Sequence, residues 1–265
     1  MRYAIVNNEK IVATKGAKGA CPSCGSDLIA KCGELKVNHW SHQGNRNCDP
    51  WWENETEWHR AWKDNFVKEW QEVVHTDENS GEKHIADVKT NSDWVIEFQH
   101  SQISLEERNS RNNFYPKLIW VLDGTRRKRD KVAFHRLLDE FSIESDDPKF
   151  NAIIGQDDCR LIKEWHKSNA LVFLDFKDED ELGRKTIWFL FPKIAENEAY
   201  LLSVLLDDFV DMHKMTVFDE FIENTISPFI NKLAYKEKIK IEMGQSRERE
   251  GKARMDMLLY GRRTL

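Results

Sequence analysis

The chain has 265 residues, of which 40% are hydrophobic and 32% charged, with a formal net charge of −6. This supplies enough apolar material for one large or two smaller packed domains, while no run reaches the roughly 18 apolar residues of a membrane span. The acidic balance argues against a general nucleic-acid coat but leaves room for a local basic surface, because binding needs charge only at the contact.

The opening MRYAIVNNEK has no apolar signal region, so a cytoplasmic protein with no membrane partner is expected. Residues 2–14 predict two short strands around an Asn-Asn-Glu turn, and the Gly/Ala/Lys stretch 15–20 a connector. A Cys/His cluster fills 21–48. Residues 53–70 have helical character, with Trp58, Trp62, Phe66 and Trp70 recurring every four residues. Three strand-like runs follow at 72–76, 83–90 and 93–100, separated by turn residues. A helix capped by Ser104 comes next, then a buried strand at 117–124. Beyond it, 132–141 reads as a helix, 170–176 and 186–192 as apolar strands, and 196–214 and 217–243 as amphipathic helices. The expected organisation is α/β: a unit at 1–50 of strands and a zinc ribbon, a core at 51–145 ordered α-β-β-β-α-β, and an α+β region at 146–265.

Four of the five cysteines, Cys21, Cys24, Cys32 and Cys48, fall in the first fifty residues. In a reducing compartment that clustering favours a metal over disulfides. CPSCG at 21–25 has the form of a zinc knuckle, in which two thiolates grip one ion and the glycine lets the backbone turn. His39, His42 and Cys48 follow at a suitable distance, across a β-hairpin around Gly33. His39 and His42 would point to opposite faces of a strand. The preferred Zn²⁺ set is therefore Cys21, Cys24, His42 and Cys48, with His39 as a substitute for either of the last two and Cys32 packed in the hairpin. Four protein ligands imply a structural ion.

The stretch HIADVKTNSDWVIEFQHSQIS, residues 84–104, places acids inside strand-like runs. If 83–88 and 93–99 pair as a hairpin, Asp87 ends one strand while Glu97 and Gln99 share a face of the next. Asp87, Glu97 and the Phe98 carbonyl offer hard oxygen ligands of the kind that suit Mg²⁺ or Mn²⁺. On the preceding helix His59 and Lys63 lie one turn apart and share a face. Glu57 is a further acidic candidate.

These motifs in this order (CPSCG…HWSH, ETEWHRAWK, HIADV and IEFQHSQIS) resemble the competence protein CoiA-like family, a branch of the PD-(D/E)xK restriction-endonuclease-like superfamily. The resemblance covers roughly residues 1–125. It implies a restriction-endonuclease-like core and a Mg-dependent deoxyribonuclease of an E-x-Q variant. Asp87 and Glu97 would take the two acidic positions, and Gln99 the usual place of a lysine. It also implies that His59 and Lys63 assist, with Lys63 supplying the positive charge that Gln99 lacks. The alternative is a nuclease-fold module that binds DNA, or serves as a scaffold, with weak or no catalysis.

The run RRKRDK at 126–131 reads as a loop at one end of the sheet, suited to phosphate contacts with DNA. The first fifty residues carry seven Lys/Arg against four Asp/Glu, a mild basic bias. The C-terminal region offers a surface for a protein partner or for homo-oligomerisation. His166 and His213 read as surface or satisfied core residues.

Overall fold

Asn7 and Asn8 close the first hairpin at φ 50° and 65°, the positive φ that a two-residue type I′ turn requires at both positions. They join β1 (Tyr3–Val6) to β2 (Glu9–Val12). The structure, a computed structural model, describes all residues except 35, 45–47, 52–54, 78–79, 144–149, 197 and 261–265. With β3 (Lys18–Ala20), β4 (Asp27–Lys31) and β5 (His39–His42), the hairpin forms an antiparallel five-stranded sheet, ordered β2-β1-β3-β4-β5. The expected connector thus contributes a strand. Gly19 permits it, since a Cβ there would lie 2.8 Å from the Ala4 Cβ.

The expected 53–70 helix is shorter in the structure, and its first two residues lie outside the described ones. α1 spans Glu57–Lys63 and starts with a capping box: Thr56 Oγ1 accepts from His59 N while Thr56 N donates to His59 Nδ1. It stops because the Asn65 side chain donates to the carbonyls of Ala61 and Trp62, giving the last turn partners outside the helix. A short 3-10 turn, Lys68–Trp70, follows. Trp58, Trp62, Phe66 and Trp70 are nonetheless all buried in one cluster.

Next come β6 (Gln71–Thr76), β7 (Lys83–Lys89), β8 (Val95–Gln99), α2 (Leu105–Phe114) and β9 (Leu118–Asp123). The order α1-β6-β7-β8-α2-β9 is that expected from sequence. Ser104 caps α2, its Oγ accepting from Glu107 N. α3 (Lys128–Glu140) begins four residues earlier than expected, so Lys128–Lys131 of the basic run are helical rather than in a loop. β10 (Ser142–Ile143), β11 (Asn151–Ile154), α4 (Arg160–Trp165), β12 (Leu171–Glu179) and β13 (Lys185–Leu190) follow.

The expected helix at 196–214 is instead a strand, β14 (Glu198–Leu205), that leads into a shorter helix, α5 (Leu206–Lys214). β14 lies between β11 and β13, so both of its edges are hydrogen-bonded. Ala199 and Leu201 pack into one apolar cluster, Leu202 and Val204 into the other. That use of both faces overrides helical propensity. α6 (Phe218–Phe221), a π-helical turn (Ile222–Ile226) and α7 (Ser227–Tyr260) complete the chain.

All nine strands from β6 to β14 join one sheet, ordered β10-β11-β14-β13-β12-β9-β8-β7-β6. The boundary drawn at residue 145 therefore falls within a single sheet. β8, β9 and β12 run parallel and the other neighbours antiparallel. The side-chain period of two assigns the layers. Ile119 and Val121 of β9 pack with Trp62, Phe209 and Phe218 from α1, α5 and α6. Leu118, Trp120 and Leu122 pack with Phe134, Ile162 and Trp165 from α3 and α4. Among the described residues, no helix is long and apolar enough to cross a membrane.

Candidate functional site

In the N-terminal sheet, Cys21, Cys24, His42 and Cys48 bring one ligand atom each within 4.8 Å of one another. The Cys21 and Cys48 sulfurs are 3.6 Å apart, and Cys24 Sγ lies 3.4 Å from His42 Nε2. A tetrahedral Zn²⁺ with ordinary bond lengths spaces two sulfurs by about 3.8 Å and a sulfur and a nitrogen by about 3.6 Å. The four residues therefore fit the ion, and this is the preferred set from sequence. Gly25, at φ +70°, makes the knuckle turn, and its amide donates to the Cys21 carbonyl. Burial pushes the Cys48 thiol up to about 12. At Cys24 burial also acts upward, but hydrogen bonding with Ser26 and His42 outweighs it and brings the thiol down to about 6. His39 does not join the group; its Nδ1 lies 3.0 Å from the Val37 carbonyl. Cys32 also stays outside, its thiol donating to the Ala13 carbonyl.

The second feature is a row of carboxylates. β6 pairs Gln71 with Val88 and Val73 with Ala86, which sets Glu72 opposite Asp87. β7 pairs Val88 with Ile96, and continuing that register sets Asp87 opposite Glu97. Three acids thus lie side by side across three strands. Glu72 has φ 49°, a conformation costly for a residue with a Cβ and one that persists where surrounding structure enforces it. Its carboxylate accepts from the amides of Arg2 and Tyr3, fastening the N-terminal sheet to the core.

Lys63, from the last turn of α1, reaches into this row. Its Nζ lies 2.7 Å from Glu55 Oε1, 3.1 Å from Glu72 Oε1 and 3.5 Å from Asp87 Oδ1, with only 3% of its side chain exposed. Burial works to lower its pKa, but the surrounding carboxylates prevail and hold it well above the usual lysine range. At Glu72 burial works upward, but the Lys63 charge and the two amide donors prevail and bring the carboxyl down to about 2.

Glu97 is in the opposite position. Arg111 Nη1 donates to its Oε2 at 3.1 Å, while its Oε1 is buried with no hydrogen-bond partner among the described residues. Burial and the nearby Asp87 charge push this carboxyl up to about 8. Asp87 Oδ2 accepts from the Phe98 amide at 3.0 Å. These groups line a cavity of about 80 Å³ together with Glu55, His59, Phe98 and Asp49. Asp49, next to zinc candidate Cys48, accepts from the Ile85 amide and lies 2.9 Å from His84 Nδ1.

The structure thus gathers Asp87, Glu97, Phe98, Lys63 and His59 in one pocket. Gln99 lines a neighbouring cleft instead, where its amide donates to the Ser101 carbonyl. Glu57 does not line the pocket; Glu55, two residues earlier, does. Glu55, Glu72, Asp49 and Arg111 were not singled out in the sequence. Glu72 shows itself only once β6 is in register. Arg111 carried a weak signal, two arginines three apart on one helix, and both are buried. Among the described residues, the acidic row does not bring three ligand atoms as close together as the Cys/His group does.

No curated protein and no solved structure matches the chain. Residues 4–50 match the family model described as competence protein CoiA, N-terminal domain, a span that runs from β1 through all four zinc candidates and is similar to that domain.

Proposed function

We propose that the chain is a metal-dependent deoxyribonuclease of the CoiA-like kind, with a restriction-endonuclease-like core, acting in DNA processing, recombination or defence. The observation that carries the reading is the buried Glu97 oxygen without a hydrogen-bond partner among the described residues, set in a row with Asp87, which Lys63 approaches to 3.5 Å. Asp87 and Glu97 would hold Mg²⁺ or Mn²⁺, which typically keeps several waters and needs only one or two carboxylates. When bound, such an ion activates water and offsets charge on a phosphodiester. Lys63, fixed by Glu55 and Glu72 and 3.5 Å from Asp87, would take the part that Gln99 cannot. His59, lining the same cavity, would assist from the helix. The zinc cluster would hold the N-terminal sheet in shape, and Glu72 ties that sheet to the pocket.

The test is cleavage of labelled linear, circular and single-stranded DNA with Mg²⁺ or Mn²⁺, comparing wild type with Asp87→Ala and Glu97→Ala. Cleavage by wild type that both folded variants lose supports the reading. Absence of cleavage with either metal sinks it.

A second reading has its own support. Lys63 already neutralises part of the row, and Gln99 is engaged with Ser101. A DNA-binding module without catalysis fits those contacts. It requires that wild type and Asp87→Ala bind DNA equally in the presence of a chelator.

A further inference from the structure

Beside the acidic pocket lies a larger cleft of about 550 Å³, at the C-terminal ends of parallel strands β8 and β9. Open α/β sheets commonly bind ligands at that end of their strands. Arg108 of α2 forms part of the wall and is 8% exposed. Its Nη1 donates to the Glu164 carbonyl at 2.6 Å, and its guanidinium lies 4.8 Å over the Trp165 ring. Its Nε is buried without a hydrogen-bond partner among the described residues. No carboxylate lies within 4.0 Å of it among the described residues. Buried charges are ordinarily paired, because an unpaired one carries its full desolvation cost.

The carboxylates around the cleft are already engaged. Asp123 binds His100 Nδ1 at 2.7 Å and accepts from Thr125. Asp130 pairs with Arg127 at 2.6 Å, and Glu164 with Arg160 at 2.5 Å. The Arg126 side chain donates to the His100 carbonyl, and among the described residues neither it nor Lys167 has a carboxylate within ion-pair distance. Three cations thus face one cleft with no carboxylate within ion-pair distance of them among the described residues, and one of them is buried.

We propose that this cleft binds phosphate, with Arg108, Arg126 and Lys167 as its cationic contacts. That the phosphate belongs to a nucleic-acid strand rests on the nuclease reading. Glu97 lines the acidic pocket while Gln99, two residues on along β8, lines the cleft. One strand face, about 7 Å long over that step, therefore joins the two, and a polynucleotide crossing the first would reach the second. His100, held by Asp123, stands at the same end of the strand.

The experiment measures binding of a fluorescent single-stranded oligonucleotide to the full chain in EDTA, across a salt series, so that it reads no cleavage. Arg126→Ala/Lys167→Ala alters two exposed residues and leaves the fold intact; Arg108→Met is measured beside it. The double variant is expected to weaken binding roughly tenfold or more and to reduce the slope of log affinity against log salt by about two. Lys214→Ala, at an exposed lysine of α5 that lines neither the cleft nor the acidic pocket, is expected to keep the wild-type slope. Competition by inorganic phosphate or a mononucleotide at millimolar concentration would identify an isolated phosphate as sufficient. Displacement only by unlabelled oligonucleotide would identify the strand backbone. Wild-type affinity and slope in the double variant would overturn the proposal. Because metal is absent, a failure of DNA cleavage elsewhere leaves this result readable.

Discussion

Lys63→Met is the substitution whose cost the structure determines most closely. The ammonium is 3% exposed and faces Glu55 and Glu72, themselves 6% and 5% exposed, so solvent screens the set little. Glu72 shows what the lysine supplies as the largest of several contributors, beside the N-terminal charge and the Arg2 and Tyr3 amides. Its carboxyl ordinarily titrates at 4.5 and is held at about 2 in the folded chain. That difference corresponds to about 3 kcal/mol of stability, in line with the roughly 3–5 kcal/mol lost when one partner of a buried ion pair is removed. Because the folded pKa is depressed, the contribution is full above pH 4.5 and is lost as pH falls toward 2. Methionine fills most of the lysine volume, so a cavity adds little. Urea unfolding at pH 7 is expected to show Lys63→Met about 3 kcal/mol less stable than wild type. At pH 3 the gap should fall below half, to about 1 kcal/mol. A gap of under about 1 kcal/mol at pH 7, or an equal gap at both pH values, would refute the assignment of Lys63 as the charge that holds the row.

At Glu97 the sign is reversed. Its folded pKa of about 8 lies above the ordinary 4.5, so ionised Glu97 lowers stability as pH rises from 4.5 through 8. Thermal melts of Glu97→Gln are therefore expected to gain on wild type between pH 5 and 8, by a few kcal/mol; a gap that does not change with pH would contradict the burial argument. For the zinc cluster, metal analysis of purified protein should find one Zn²⁺ per chain, lost in His42→Ala and Cys24→Ser but retained in His39→Ala and Cys32→Ser. Retention in His42→Ala would show the ligand set to be wrong. Gly124→Ala places a Cβ 2.4 Å from the Phe176 ring, and calorimetry should record a loss of roughly 1–3 kcal/mol. An unchanged melting temperature would mean that β9 and β12 yield more readily than their packing implies.

The candidate zinc ligands were legible because the constraint is local: a Cys-x-x-Cys-Gly knuckle and a hairpin bring four residues together with little help from the rest of the fold. Asp87, Glu97, His59 and Lys63 were legible as motifs, though their meeting depends on register. Glu72 was not, because its place opposite Asp87 follows from β6 pairing with β7, and nothing within EVVHT marks that glutamate apart from its neighbours. The strand at 198–205 was misread for a related reason. Its apolar residues fill two cores on opposite faces of a sheet, and a segment apolar on both sides has no clear period. Gln99 shares a strand face with Glu97 as expected, yet it serves a different cavity, a distinction that side-chain alternation cannot make.

The charge in the acidic pocket bears on how the two functional readings compete. Glu55, Glu72, Asp87 and Glu97 face Lys63 and Arg111 there, and Asp49 is engaged by His84. Burial holds the Glu97 carboxyl up to about 8, so it is largely neutral at pH 7, and a divalent ion beside it would favour its ionised form. The acids of the pocket differ in what engages them. Glu72 pairs with Lys63 and accepts from the Arg2 and Tyr3 amides, and Glu55 pairs with Lys63 and Arg60, whereas Glu97 Oε1 has neither an ion-pair nor a hydrogen-bond partner among the described residues and the Asp87 side chain is 24% exposed. A cation would therefore enter at the Asp87–Glu97 side, opposite the carboxylates that hold the lysine. Lys63 need not leave for the ion to bind; it only has to loosen its longest contact, 3.5 Å to Asp87. On that geometry the lysine and the metal are neighbours rather than rivals. That arrangement would let one pocket hold a permanent positive charge and an exchangeable one beside the same phosphodiester, and it is why the catalytic reading is proposed ahead of the binding module.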